Sequence, residues 1–411
     1  MKHRLAAALG LALAAALPAT APVGAAQEAK ARAQIRVTPV DVGRENELFG
    51  VSFADAQHGH AVGTDGTILA TTDGGTTWAQ QQAPLPLEED GKQEHLHGVS
   101  FPTPAHGYMV GTSSIQATTD GGATWEAQAL PPPVEIDGVK VPWSFRGVSF
   151  PQAEVGWVLG PSGAILSTTN GGQSWQVFAE RRFGQLRAVT AVDSLHVQAV
   201  GASGFAKDGI PFVTIASADG GRTWEPRLGK FKDDVDPLNF SGVSFVDEMR
   251  GFAVGNEGRI VATSDGGLTW SLQRAGSVES LSSVSFTDAK RGVAVGEVQF
   301  TTGEQKSVVF ATDDGGRTWV SRLPAGTEQL HAVDFADRNT AYAVGCRRNR
   351  GTVNELQCEE SALLRITFSD PLPAESGSSG VSPMLVAAGI AAVILLGGGF
   401  ALLQRRRGAV R

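Results

Sequence analysis

The sequence predicts an all-β fold, a seven-bladed β-propeller with Asp-box turns, followed by one C-terminal transmembrane helix. Three observations lead there. The octapeptide Ser/Thr, any residue, Asp/Asn, Gly, Gly, any residue, Thr/Ser, Trp occurs six times, ending at Trp78, Trp125, Trp175, Trp224, Trp270 and Trp319. The spacings are 47, 50, 49, 46 and 49 residues, and self-similarity at such a period marks a repeat architecture. Val51-Ser52-Phe53 recurs at Val99, Val148, Val243 and Val284, and more loosely around Val189 and at Val333-Asp334-Phe335. A short apolar run closing at Gly recurs seven times, at Gly63, Gly111, Gly160, Gly201, Gly255, Gly296 and Gly345.

Each unit holds four short apolar runs between turn residues, in the first unit 51–53, 60–62, 67–71 and 78–81. Four strands at this period make a propeller blade. The seventh unit has a third strand at 362–368 but no Asp box and no fourth strand. The strand-like run 34–42 has no blade of its own and is expected to supply that missing outer strand, which protects an open edge. The propeller then occupies 34–370.

The box follows the third strand and opens the fourth, so it must be a hairpin turn. Its Asp accepts backbone N–H bonds, its Gly pair takes positive φ and its Trp packs over the result. Asp73, Asp120, Asn170, Asp219, Asp265 and Asp314 are therefore structural: six groups in equivalent turns cannot converge on one substrate. Tyr108, Trp157, Phe252 and Tyr342 share one column of strand two and read as core.

The two ends carry membrane signals. Lys2, His3 and Arg4 precede an uncharged run over 5–17 and a small-residue stretch ending at Ala26, the layout of a signal peptide over 1–26. Residues 384–403 are uncharged and Arg405, Arg406 and Arg407 follow. That is one spanning helix with its basic tail, 404–411, in the cytoplasm and the propeller on the extracytoplasmic side, joined by a flexible linker at 371–383. Six of the 34 basic residues lie in these end segments, which leaves 28 against 42 acidic residues, a net charge of -14. Such a domain has no electrostatic footprint for nucleic acid. Outside the cytoplasm the only two cysteines, Cys346 and Cys358, are expected to form a disulfide.

The stretch Leu48 to Phe53, then Gly59-His60-Ala61-Val62-Gly63, then Ile68 to Trp78, resembles the photosystem II assembly and stability factor family, seven-bladed propellers with Asp boxes. The likeness covers nearly all of 34–370. It implies a non-enzymatic extracytoplasmic assembly factor whose partner is a protein, a membrane complex under assembly, bound through an arginine-bearing face. The C-terminal membrane helix is a departure from the family pattern. The boxes by themselves are shared with sialidases, xyloglucan hydrolases and sortilin-type receptors.

Loop lengths locate the working face. Turns between strands one and two, and three and four, keep nearly constant length. The opposite face carries 84–94, 131–142, 202–211, 230–236, 297–306 and 347–357, and loops that vary on a fixed scaffold are where binding lives. The residue opening strand one lies at the channel mouth on that face, and around the ring it reads Phe49, His97, Arg146, Arg187, Ser241, Ser282 and His331. Arg146 and Arg187 are the leading candidates for partner contact, with His97 and His331 as further donors and Arg181 and Arg182 extending the patch. Asp233, Asp234 and Asp236 form a separate acidic loop.

Two other functions compete. A sialidase-type glycosidase needs an arginine cluster, a Tyr paired with Glu and an acid Asp; both tyrosines here sit in repeat columns and the Phe-Arg-Ile-Pro motif is missing. A carbohydrate-binding propeller finds its encouragement in Trp143, expected to be exposed in the Pro-rich loop. No metal spacing, phosphate loop or cofactor motif stands out, so neither metal nor cofactor is expected and a small-molecule ligand is disfavoured, with a glycan left open.

Overall fold

Seven sheets arranged as blades follow one another along the chain, each running from an inner to an outer strand. The computed structural model describes residues 34–369 except 44, 137, 180–183, 203–213, 228–229, 232–238, 275–278, 301–304, 328 and 351–356. Within this unit the first blade runs Leu48–Phe53, Gly59–Gly63, Ile68–Thr71 and Ala79–Gln80, and blades two to six repeat the order. The inner strands touch their neighbours in sequence, and Leu48–Phe53 also meets Gln329–Asp337 of the last blade, which closes the circle. The expected signal peptide, linker, membrane helix and tail all lie outside the described residues. Among the described residues no helix is long and apolar enough to cross a membrane.

Closure is as the incomplete seventh unit required. Gln34–Pro39 pairs antiparallel with Gln357–Ser369, from Gln34 opposite Ser369 to Pro39 opposite Leu364, and becomes the outer strand of blade seven. Ile35 and Val37 pack against a core that includes Leu364, Ile366 and Phe368. Blade five departs from the four-strand plan. Its outer strand Thr269–Arg274 gains a parallel partner, Lys230–Phe231, so part of 230–236 is an edge strand rather than the loop expected between blades. The disulfide joins Cys346 to Cys358 across the long hairpin of blade seven. Closing a loop of this length restricts the unfolded chain by about 3 kcal/mol. Replacing both cysteines by Ser is expected to lower unfolding stability by that amount, measured in urea under non-reducing conditions.

The recurrent Val-Ser-Phe column explains how blades adhere. The Phe101 N–H donates to Ser52 Oγ of the preceding blade at 3.0 Å, and Phe150 to Ser100, Ala191 to Ser149 and Phe286 to Ser244 repeat the bond at 3.0, 3.0 and 3.1 Å. The Phe side chain of this column meets the strand-two aromatic of the blade before it: His60 on Phe101 at 3.6 Å, Tyr108 on Phe150 and Phe252 on Phe286 at 3.5 Å. Tyr108, Trp157, Phe252 and Tyr342 are all buried. The two tyrosines also reach the next blade, the Tyr108 hydroxyl donating to Ala153 O and that of Tyr342 to Gly74 O, both at 2.5 Å.

The boxes are turns. Asp73 Oδ1 accepts from the Thr77 N–H at 2.9 Å and the Thr71 hydroxyl at 2.8 Å, while Oδ2 accepts from the Thr77 hydroxyl at 2.7 Å. Gly75, at φ 77°, donates its N–H back to Thr71 Oγ1. Asp120, Asp219, Asp265 and Asp314 repeat this, and Asn170 keeps it with its amide donating to Ser174. These bonds favour the ionised form. The backbone N–H of Thr77, its hydroxyl and that of Thr71 hold Asp73 down at about 2. A carboxyl lowered in the folded state stabilises above its unfolded pKa, and that contribution is lost as pH falls through about 4 towards 2.

Candidate functional site

Six β-bulges build the channel mouth. Where strand one pairs with strand two, Leu48 faces Gly63 and Gly50 faces Val62, so Phe49 is skipped. The residues skipped in the same way are His97, Arg187, Ser241, Ser282 and His331. A bulged residue is released from the ladder and re-aimed, which is how sheets present side chains at sites. In five of the six bulged blades the same close pairing accounts for the recurrent Gly. A Cβ at Gly63, Gly201, Gly255, Gly296 or Gly345 would lie 1.9 to 2.1 Å from the carbonyl oxygen that precedes strand one or opens it, so no larger residue fits there.

All seven members of the predicted column line one central cavity of about 410 Å³. Four of its positions also line a wider cleft of about 670 Å³: Phe49, His97, Arg146 and Arg187, with Ser144, Ser162, Gln185 and Leu186 completing the wall. Arg146 precedes its blade's inner strand, and its backbone N–H donates to Leu159 O at 3.2 Å. Both arginines are exposed. Among the described residues neither has a carboxylate partner; Arg187 reaches only the Ser241 hydroxyl, at 3.5 Å. Phe49 stands between the imidazoles of His97 and His331, with ring centroids 5.6 and 5.3 Å away.

The two histidines differ from the simple donors expected of them. Burial, and then the charge of Arg146, push His97 down to about 4, so it is neutral at pH 7 and joins the cleft as a polar ring. His331 already has a partner, Glu47, whose carboxylate lies 2.7 Å from Nε2. The free positive charge is therefore concentrated at Arg146 and Arg187. Two guanidinium groups beside an aromatic wall suit a carboxylate-bearing, partly apolar segment such as a peptide.

Other expected contributors fall elsewhere. Arg181, Arg182, Asp233, Asp234 and Asp236 lie outside the described residues. Trp143 is not exposed: it is 8% accessible, stacks on Phe145 at 5.7 Å and donates its indole N–H to Pro131 O at 2.9 Å. The Pro-rich loop folds inward because this large ring has apolar neighbours and its one donor is satisfied. Among the described residues no group of His, Cys, Asp and Glu is arranged for a metal ion.

In the sequence Asp334 is a variant of the Val-Ser-Phe column. It stands where other blades carry Ser or Thr, and its Oδ2 accepts the Phe53 N–H at 2.9 Å across the seam between blades seven and one. Oδ1 accepts the Ser285 hydroxyl at 3.3 Å. Burial pushes this carboxyl up to about 6 despite those bonds. A raised carboxyl stabilises fully below its unfolded pKa, near 4, and the contribution fades as pH rises through 6. His60 and His97, both lowered to about 4 by burial, act in the opposite sense over much of this window. The informative quantity is thus a difference. Asp334→Asn is expected to gain about 3 kcal/mol on the native protein between pH 4 and 7, with the gain absent at pH 4, measured by urea unfolding at each pH.

Comparison with known proteins places these observations in a family. The family model described as photosynthesis system II assembly factor YCF48 matches residues 29–100, 89–209 and 234–328. The photosystem II assembly lipoprotein Ycf48 from one strain of Prochlorococcus marinus is 35% identical over 51 residues, 12% of this chain and 15% of that protein's length. A solved structure of YCF48 bound to D1 peptide superimposes with a TM-score of 0.57 at 22% identity, covering 81% of this chain and 97% of that one. The GH74 xyloglucanase of Xanthomonas campestris gives a TM-score of 0.56 at 13% identity over 80% of this chain and 56% of the enzyme. At these identities the two structures speak to the fold alone.

Proposed function

This chain belongs to the photosynthesis system II assembly factor YCF48 family, and we propose that it is a non-enzymatic, protein-binding assembly factor on the extracytoplasmic side of a membrane. Its partner is a membrane complex under assembly, photosystem II being the one named for its relatives. The observation that carries this reading is the pair Arg146 and Arg187, free of carboxylates among the described residues and set beside Phe49 and His97 in one cleft. Salt-sensitive capture of a peptide carboxylate, with Phe49 covering an apolar neighbour, is the chemistry such a cleft performs.

The signal peptide over 1–26 delivers the propeller across the membrane, and 384–403 retains it there with 404–411 in the cytoplasm. Carbohydrate binding loses its main support with the burial of Trp143, and the box carboxylates are engaged in their own turns. A direct test uses the peptide class held by the relative. The detergent-solubilised chain is expected to bind a D1 peptide, and Arg146→Ala with Arg187→Ala to weaken it about tenfold or more with thermal unfolding unchanged. Equal affinity of the two proteins would contradict the assignment of the cleft.

A further inference from the structure

The face opposite the channel mouth holds a second surface. There each turn between strands one and two lies against the Asp box of its own blade, with Gly74 donating its N–H to Gln57 O, Gly220 to Leu195 O, Gly266 to Met249 O and Gly315 to Lys290 O. Equivalent tips can therefore be compared around the ring. On blades one to three the turn position reads Gln57, Ala105 and Glu154, and the box position reads Thr76, Ala123 and Gln173. On blades four to six they become Leu195, Met249 and Lys290, and Arg222, Leu268 and Arg317.

Leu195, Met249 and Leu268 are 50, 46 and 53% exposed on two adjacent blades. Single exposed apolar residues are ordinary, but a cluster needs a reason. Arg222, Lys290 and Arg317 beside them are exposed and have no carboxylate partner among the described residues. The carboxylates in the turns of blades four to six have partners within the protein, although Asp193 and Glu248 keep 47 and 59% of their side-chain surface exposed. Asp193, Asp247 and Asp288 accept the backbone N–H groups of their own turns, and Glu248 meets His196 at 3.3 Å, linking blades four and five.

The chain itself leaves the propeller here. The Phe368 N–H donates to Asn339 O at 2.8 Å, which sets Ser369 beside the turn between strands one and two of blade seven, on the same face as the boxes. In sequence, only residues 370–383 separate this point from the apolar segment 384–403. A lipid surface is thus what lies within reach, and apolar tips flanked by unpaired cations are the composition that enters a headgroup layer.

We propose that the tips of blades four to six dock on the bilayer, with Leu195, Met249 and Leu268 entering the headgroup region and Arg222, Lys290 and Arg317 at lipid phosphates. The channel mouth is thereby turned towards its partner. This inference rests on the membrane anchoring in the proposed function.

The test reconstitutes the full chain in mixed phosphatidylcholine and phosphatidylglycerol vesicles, with an environment-sensitive fluorophore on Leu268→Cys or, on the channel-mouth side, Val139→Cys. Flotation of the vesicles reads anchoring separately. A shallow nitroxide lipid is expected to quench the probe at 268 several-fold more strongly than at 139, and Leu195→Asp with Met249→Asp to remove the difference while the protein still floats. Equal quenching at the two sites, stronger quenching at 139, or none at 268 in floating vesicles would overturn the docking and leave the anchor standing. Shielding at 268 that needs added membrane proteins would assign the face to a protein and also overturn it. A chain that does not float would refute the anchor, and the docking with it.

Discussion

Removal of residues 34–39 is expected to abolish cooperative folding of the propeller and to leave an aggregating chain. The segment pairs along its whole length with Leu364–Ser369, the last six residues of the strand Gln357–Ser369, and its loss strips that stretch of its outer partner. Unpaired edges of that length invite association. Ile35 and Val37 also leave the blade-seven core. Two partly buried aliphatic side chains and a set of ladder bonds at about 1 kcal/mol each amount to roughly 5 kcal/mol, a large share of a domain's stability. Size-exclusion chromatography and thermal unfolding of the truncated chain check this. A synthetic peptide of residues 34–39 added in excess is expected to recover part of the monomer, because it restores the same edge. A truncated chain that remained monomeric with an unchanged transition would show that the ring does not depend on this strand.

Trp270→Ala carries the second large effect. Trp270 is fully buried, stands edge-on to Phe245 at 6.1 Å and donates its indole N–H to Gly267 O at 3.2 Å. Its removal leaves a cavity among Val200, Phe240, Val243 and Val261, for which large-to-small changes cost about 3–5 kcal/mol. In a domain of this size that lowers the melting temperature by roughly 4–7 °C. Trp78 has the same box position in blade one but is only half-buried, so Trp78→Ala is expected to cost clearly less. The contrast separates packing from the turn itself, which both variants keep. Equal losses at the two positions would mean that the Trp acts through its own hairpin rather than through the core.

Much of this architecture was legible because it repeats. Six boxes, the Val-Ser-Phe column and the recurrent Gly identify blades before any contact is known, and the orphan strand at 34–42 identifies the closure. What repeats could be read; what occurs once could not. Trp143 belongs to no column, so nothing in the sequence says that its loop turns inward and that Pro131 accepts its indole N–H. Lys230–Phe231 is two residues long and pairs in parallel with a strand almost 40 residues later, a contact without a local signal.

The site shows the same division. Its column was visible as the residue opening strand one, and the structure brings Phe49, His97, Arg146 and Arg187 into one cleft. The mechanical cause, a bulge that frees each of six of these residues, appears in sequence only as the Gly that accommodates it one strand later. The engagement of His331 by Glu47 joins positions 284 residues apart and depends on ring closure, which no spacing rule reveals. Asp334 could have been singled out: a carboxylate in a column of hydroxyls is a visible exception, and exceptions in a repeat mark seams or sites.

We propose that the arginine-bearing channel mouth holds a protein partner. Mass spectrometry of species cross-linked to the chain in its native membrane, compared between the wild-type protein and Arg146→Ala with Arg187→Ala, tests it most directly. One membrane complex is expected with the wild-type chain, joined through residues of the channel-mouth face and lost in the double variant while the protein level is unchanged. The same complex recovered by both proteins, or cross-links confined to the Asp-box face, would contradict it.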